Sequence, residues 1–516
     1  MNTVSQLGSI DPSLQCSAED IIHKFAQSLG GVNPDWHIKV RPDGPYLVIE
    51  FANPSEHHYR IHNNLISLLP EDNPFKDRST VQPRRSSPKA RLLLPETQLL
   101  KKAIAESLTI DRNSFNEDFF SRYTASVTAL EQQITTNANF VVYGRRGAGK
   151  SSLLAYAMHT AIRNNLPYAW VAMQTYATRS DNQVVPATIS AIFYDLHQTF
   201  PDQDEIGDLV AAFDALSEGT DRDVLDRCDR FIQRARRVIG KIATVKTPLT
   251  IFLDDIHVLD ESAQPLVLGF VYKMTRGNNA HIKISGIEQL TKLWDSSKQF
   301  GLQLSHDAQL LNLDLNLTMP DKSKEHIVSI LNAHARYCGL PGIGYLANEE
   351  VLSRLVLVAA GVPRDSLSLF SIAISKAIAK SQKLVSITSV NAAASEMAEE
   401  KLKDIERDAA EDLEAIQDVL SEVKRFCITQ NRKNAFLVEI KNTDPRYKLI
   451  KKLIALRLVH LLHEGITPHK AGKRFIALML DYGFYVGIRA ARSVEFIPSE
   501  PRQLLAKELR SLPIFN

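Results

Sequence analysis

Gly144-Arg145-Arg146-Gly147-Ala148-Gly149-Lys150-Ser151 matches the pattern G-x-x-x-x-G-K-[ST] at every fixed position. Each of those positions has a physical task. Glycines let backbone N–H groups curl round a β-phosphate with no Cβ in the way. Lys150 is expected to reach the β- and γ-phosphates, and the Ser151 hydroxyl to ligate Mg²⁺. A helix starting near Gly149 aims the positive end of its dipole at the same anion. The flanks agree, with apolar Phe140–Tyr143 leading in as a strand and Ser151–Arg163 leading out as a helix. ATP and Mg²⁺ are therefore the expected cofactors. The expected binding residues are Gly144, Arg145, Arg146, Gly147, Ala148, Gly149, Lys150, Ser151 and Ser152.

A second signal lies 103 residues beyond Ser151, where Leu249-Thr250-Ile251-Phe252-Leu253 runs into Asp254-Asp255. An acid ending a strand that neighbours the P-loop strand can hold the Mg²⁺ shell. That role falls to Asp254, and Asp255 is placed to orient the attacking water. His257 and Asp260 read as parts of the following turn. Further apolar runs, Ala169–Met173, Ile282–Ile284 and Leu310–Leu315, alternate with helical stretches such as Ser121–Ile134 and Ala187–Phe200. Alternation of this kind predicts a parallel α/β domain.

The whole chain sets outer bounds. Its 516 residues imply three or four domains, and 44% hydrophobic with 23% charged residues excludes wholesale disorder. No apolar run approaches the ~18 residues of a membrane span, and the first residues lack a signal-peptide pattern. Cys16, Cys228, Cys338 and Cys427 are scattered without a CxxC pair, which predicts a reduced, cytoplasmic protein with no membrane partner. The formal charge of +2 is a cancellation. Glu396–Glu422 carries 11 acidic against three basic residues, whereas residues 421–516 carry 18 basic against eight acidic, a net of +10.

Near the N-terminus, Ser17 with Asp20 reads as a cap for a helix over Ile21–Leu29. Trp36–Val40 and Tyr46–Phe51 read as a hairpin about Pro42-Asp43-Gly44. His57, His58 and His62 lack the spacing of a metal frame and read as a solvated helix face. The expected organisation is a small α+β domain over 1–76, a basic Ser/Pro linker over 77–110, a P-loop core over 111–320, a helical lid over 321–395, an acidic connecting helix over 396–430 and a basic domain over 431–516.

With these motifs placed, residues 115–395 resemble the AAA+ superfamily, in its origin-recognition and STAND-like branch. Phe119-Phe120-Ser121-Arg122 with Ala129-Leu130-Glu131 is similar to the segment that precedes the P-loop strand there. Lys283-Ile284-Ser285-Gly286 resembles the strand whose polar tip, Ser285, serves as sensor 1. Ala360-Gly361-Val362-Pro363-Arg364 resembles the turn that opens a lid helix and presents the sensor 2 arginine, Arg364. The resemblance thus implies catalytic roles for Lys150, Asp255, Ser285 and Arg364. One departure stands out: no arginine occurs from Gly277 to Ala335, and Lys292 and Lys298 are the only cations in the helix expected to carry a finger. Without a finger, hydrolysis is expected to be slow.

In the basic tail, an amphipathic helix is expected over Tyr447–Leu462. A hairpin of Phe475–Leu480 with Phe484–Val486 should follow the basic turn Thr467–Arg474. Helices followed by a basic hairpin resemble a winged helix, with Lys470, Lys473 and Arg474 on phosphates. The expected fold is α/β: a P-loop parallel sheet core with a helical lid, a small N-terminal α+β domain and a C-terminal winged-helix-like domain. Its expected function is an ATP-driven switch with slow hydrolysis, coupled to double-stranded DNA through the C-terminal domain and to a protein partner through the N-terminal one. The rival is a STAND-like regulator of protein assembly without DNA contact. Oligomerisation is compatible with both.

Overall fold

The computed structural model describes residues 11–84, 90–108, 116–219, 223–313, 317, 319–408, 413–441, 443–467, 473–485 and 494–515. The chain opens with α1 (Pro12–Ser28), capped by Asp11, whose carboxylate accepts from the Ser13 amide at 2.9 Å. Ser17, the expected cap, lies inside this helix because Pro12 starts it a turn earlier. β1 (Asp35–Arg41) and β2 (Gly44–Phe51) form the hairpin implied by their turn. After α2 (Glu56–Ser67), β3 (Ser79–Pro83) pairs parallel to β2. Expected as an exposed linker, residues 77–110 instead hold β3 and α3 (Pro95–Leu108) in their described part. Val81, Leu99, Leu100, Ala103 and Ile104 are buried there, and burial of that apolar face outweighs the Ser/Pro/Arg composition.

The helix expected over Ser121–Ile134 is two short ones, α4 (Glu117–Arg122) and α5 (Leu130–Ile134), parted by a turn with Ala129 in the left-handed region. The α/β core follows: β4 (Phe140–Tyr143), α6 (Lys150–Arg163), β5 (Tyr168–Ala172), α7 (Asp181–Thr199), α8 (Asp204–Ser217), α9 (Val224–Ile242), β6 (Leu249–Asp254), α10 (Ala263–Thr275) and β7 (Ala280–Gly286). β8 (Trp294–Asp295) and β9 (Phe300–Gly301) make a short hairpin before β10 (Gln309–Asn312). The main sheet is parallel, in the order β10-β4-β7-β6-β5. Two expectations change here. The Asp254 strand, β6, does not neighbour the P-loop strand β4, because β7 pairs with both. Lys292 precedes the β8–β9 hairpin and Lys298 sits in its turn, rather than both riding a helix.

The lid comprises α11 (Pro320–Tyr337), α12 (Glu349–Val358), α13 (Pro363–Ala379) and α14 (Ile387–Asp408). It shares one hydrophobic core with the N-terminal segment. Phe25, Phe51, Phe75 and Leu100 pack in the same cluster as Leu331, Leu355, Phe370 and Ala373. His58, expected on a solvated face, is fully buried between the Phe51 ring and Gly339.

In the C-terminal body, α15 (Leu413–Lys424) precedes β11 (Ala435–Glu439), α16 (Pro445–Ala455), β12 (Val459–Ile466), β13 (Phe475–Leu480), α17 (Ala506–Arg510) and β14 (Ile514–Phe515). The order helix, strand, helix, hairpin is winged-helix-like, and the sheet runs β12-β13-β11-β14. Three corrections follow. The helix expected to reach Leu462 ends at Ala455, because Arg457 turns left-handed and Val459 enters a strand. β13 pairs with β12, not with Phe484–Val486; Tyr482–Tyr485 is a 3₁₀ turn and Val486 lies outside the described residues. The acidic stretch is not a purely solvated connector, since α15 buries Ile416, Val419, Leu420 and Val423 in the C-terminal core. Among the described residues no helix is long and apolar enough to cross a membrane.

Candidate nucleotide site

All four residues of β4 are buried, between β10 and β7 in the sheet, so the loop that follows is held rigidly at its carboxyl edge. Gly147 and Gly149 adopt φ of 81° and 99°, the left-handed region where a Cβ is strained. A Cβ on Gly147 would stand 2.8 Å from the Arg364 Cβ. Lys150 then begins α6 with its amides facing the loop.

Behind the loop is a tight polar cluster. The Ser151 hydroxyl donates to Asp254 Oδ1 at 3.1 Å, and the Ser285 hydroxyl donates to the same oxygen at 2.5 Å. Ser285 Oγ in turn accepts from the Asp255 amide at 2.8 Å. β7 stands beside β6, and that adjacency puts Ser285 between the two acids. Asp255 is left-handed (φ 58°), which turns its carboxylate out of the sheet edge and into the cleft, 3.8 Å from Lys150 Nζ. Burial, then the charge of Asp255, lifts the Asp254 carboxyl to about 6 against its hydrogen bonds from Ser285 and Ser151. Burial holds the His257 imidazole, whose Nδ1 lies 3.7 Å from Asp255, down at about 4, so it is neutral.

A buried carboxylate facing a hydroxyl suits a hard cation. Among the described residues no group of three or more His, Cys, Asp or Glu could hold a metal, so Ser151 and Asp254 would need phosphate oxygens to complete a Mg²⁺ shell. That is the donor set a P-loop presents.

The lid sits directly on this loop. The Arg364 amide donates to the Gly147 carbonyl at 3.2 Å. Arg145 Nη2 donates to the Ala360 carbonyl at 3.3 Å in a buried contact. Arg145, expected at the nucleotide, therefore spends its side chain on the lid. A cavity of ≈ 990 Å³ opens between loop, lid and α3, lined by Arg146 through Leu153, Asp255 and Arg364. Gly144, Asp254 and Ser285 stand behind its wall. Also lining it are Ser107, Tyr123, Glu131, His326 and His334, drawn from α3, the α4–α5 turn, α5 and α11. Tyr123 donates to Glu131 at 2.7 Å and stacks on Tyr156 of α6.

Residues 124–282 match the family described as AAA ATPase domain. The match spans the P-loop, both acids and the start of β7, before Ser285. No curated protein matches the sequence significantly. Among solved structures, the chain is similar to the Aeropyrum pernix ORC1 protein in complex with DNA, with 13% identity over 74% of this chain and 93% of that one (TM-score 0.40). Drosophila ORC bound to DNA gives 14% identity over 82% and 96% (TM-score 0.35). A Walker-type ATPase of Pyrococcus abyssi gives 12% over 73% and 98% (TM-score 0.40).

Three residues of the C-terminal body that the linear motifs do not signal also line the cavity: Lys452 and Ala455 of α16, and Leu456 just beyond it. Beside them runs a buried ionic chain. Arg457 pairs with Asp365, Lys401 Nζ lies 3.3 Å from Asp365 and 2.7 Å from Asp481, and His460 Nε2 lies 2.8 Å from Asp481. Burial alone would raise both acids, yet the cations around them hold both carboxyls below their ordinary range. Of the residues expected on DNA phosphates, Lys470 lies outside the described residues, Lys473 pairs with Glu439 at 2.9 Å, and Arg474 is exposed.

Proposed function

We propose that the chain binds Mg-ATP in this cleft and hydrolyses it slowly, using lid position to report nucleotide state. The observation that carries the reading is the P-loop, Ser151, Asp254, Ser285 and Asp255 converging on one cleft whose lid turn is hydrogen-bonded to the loop. In this reading Lys150 neutralises the β- and γ-phosphates, and Ser151 and Asp254 hold Mg²⁺. Asp255 orients water, Ser285 fixes both acids, and Arg364 reads the γ-phosphate. Slow turnover is supported by the absence of arginine from Gly277 to Ala335.

The output is assigned to double-stranded DNA through the C-terminal body, on the strength of its net +10 and its winged-helix-like order. The rival output, a protein partner, is favoured by charge pairing: Glu439 pairs with Lys441 and Lys473, Glu422 pairs with Arg446, and Arg457 is internal. ATP turnover measured with and without duplex DNA at low salt separates the two. Stimulation supports the DNA output; absence of both stimulation and binding sinks it and leaves the protein output standing.

A further inference from the structure

α16 brings a cation into the cleft from a different body of the same chain, and two contacts fix where it enters. On one side the helix packs against Glu288–Leu290, a turn that starts two residues after β7 ends. That is the sheet edge at which Ser285 binds Asp254 and the Asp255 amide. On the other side Arg457, two residues beyond the last residue of α16, pairs with buried Asp365. Asp365 adjoins Arg364, whose amide rests on Gly147. Lys452, half-buried, lines the same cavity as Lys150, Asp255, Leu290 and Arg364. The segment where a partner-directed arginine is expected has none.

We propose that Lys452 is a cation supplied in cis, which contacts the γ-phosphate of bound ATP and so makes the seating of the C-terminal body depend on that phosphate. The inference rests on the ATP-binding reading of the cleft. An ammonium on a flexible stem suits this task, because it can follow the phosphate without the fixed fork of a guanidinium. The buried chain Arg457–Asp365–Lys401–Asp481 supplies the rigid anchor: it locks the end of α16 to the start of α13 and to α14.

The full chain, Lys452→Met and Lys452→Arg are compared for ADP affinity, ATPγS affinity and single-turnover hydrolysis, with Lys150→Ala as reference. Lys452→Met should bind ADP as the parent does while losing about tenfold or more in ATPγS affinity and in hydrolysis, the scale of one charged contact to phosphate. Lys452→Arg should restore most of both. Unchanged ATPγS affinity and turnover in Lys452→Met, or an equal loss for ADP and ATPγS, overturns the proposal while Lys150→Ala still reports on the site. A parent chain that binds neither nucleotide overturns the reading of the cleft itself.

Discussion

Lys150 and Asp255 face each other at 3.8 Å, an attraction that a bound phosphate would replace on the lysine side. Lys150→Ala should therefore lower ATP affinity at least about a hundredfold, checked by titration with a fluorescent nucleotide. Asp255→Asn keeps the shape and removes the base. It should bind ATP normally and lose about 10²–10⁴ in turnover, checked by phosphate release. Most of this chemistry was legible in the linear chain, because the loop's residues are consecutive and Asp254-Asp255 end an obvious apolar run. Two side chains were not. Arg145 sits inside the motif, yet its guanidinium serves the lid turn at Ala360. Lys452 looks like any lysine of an amphipathic helix, and only its neighbours set it apart.

Among the elements, the histidines of α2 and α11 join the N-terminal segment to the lid. Burial holds His58 near 3 and His334 near 4, against an ordinary 6.5. The unfolded chain therefore binds more protons from pH 6.5 down to about 4 at His334 and about 3 at His58, and stability is full above 6.5 and lost as pH falls through that window. Each histidine contributes up to about 1.4 kcal/mol per pH unit. Urea melts should become steeply pH-dependent there, and His58→Gln with His334→Gln should flatten the slope. At the start of α13, Asp365→Asn leaves Arg457 and Lys401 facing a neutral amide. A loss of about 3–5 kcal/mol is expected, read as a lower midpoint of thermal unfolding. Strands and helices of the core were readable from periodicity. The end of α16 was not, since Leu458, Val459 and Leu462 fit a helical stripe and a strand equally, and pairing with β13 decides between them.

For the whole molecule, the shared core of N-terminal segment and lid means that these are one body. A chain beginning at residue 116 would expose the lid residues that pack on Phe25, Phe51, Phe75 and Leu100. It should aggregate or melt well below the full chain, checked by soluble yield and scanning calorimetry; a stable monomer of native midpoint would contradict the shared core. By itself the sequence determined the nucleotide loop, the acids, the alternation of the core and the charge separation of the tail. Those properties belong to local spacing, and backbone sterics and side-chain chemistry act within a few residues. Tertiary structure alone decided that β7 separates β4 from β6, that β3 and α3 are built into a core, and that the C-terminal body reaches the nucleotide cleft. Such outcomes depend on which apolar faces bury each other and which buried charges find partners. Both are contests between distant segments, and no local pattern encodes their result.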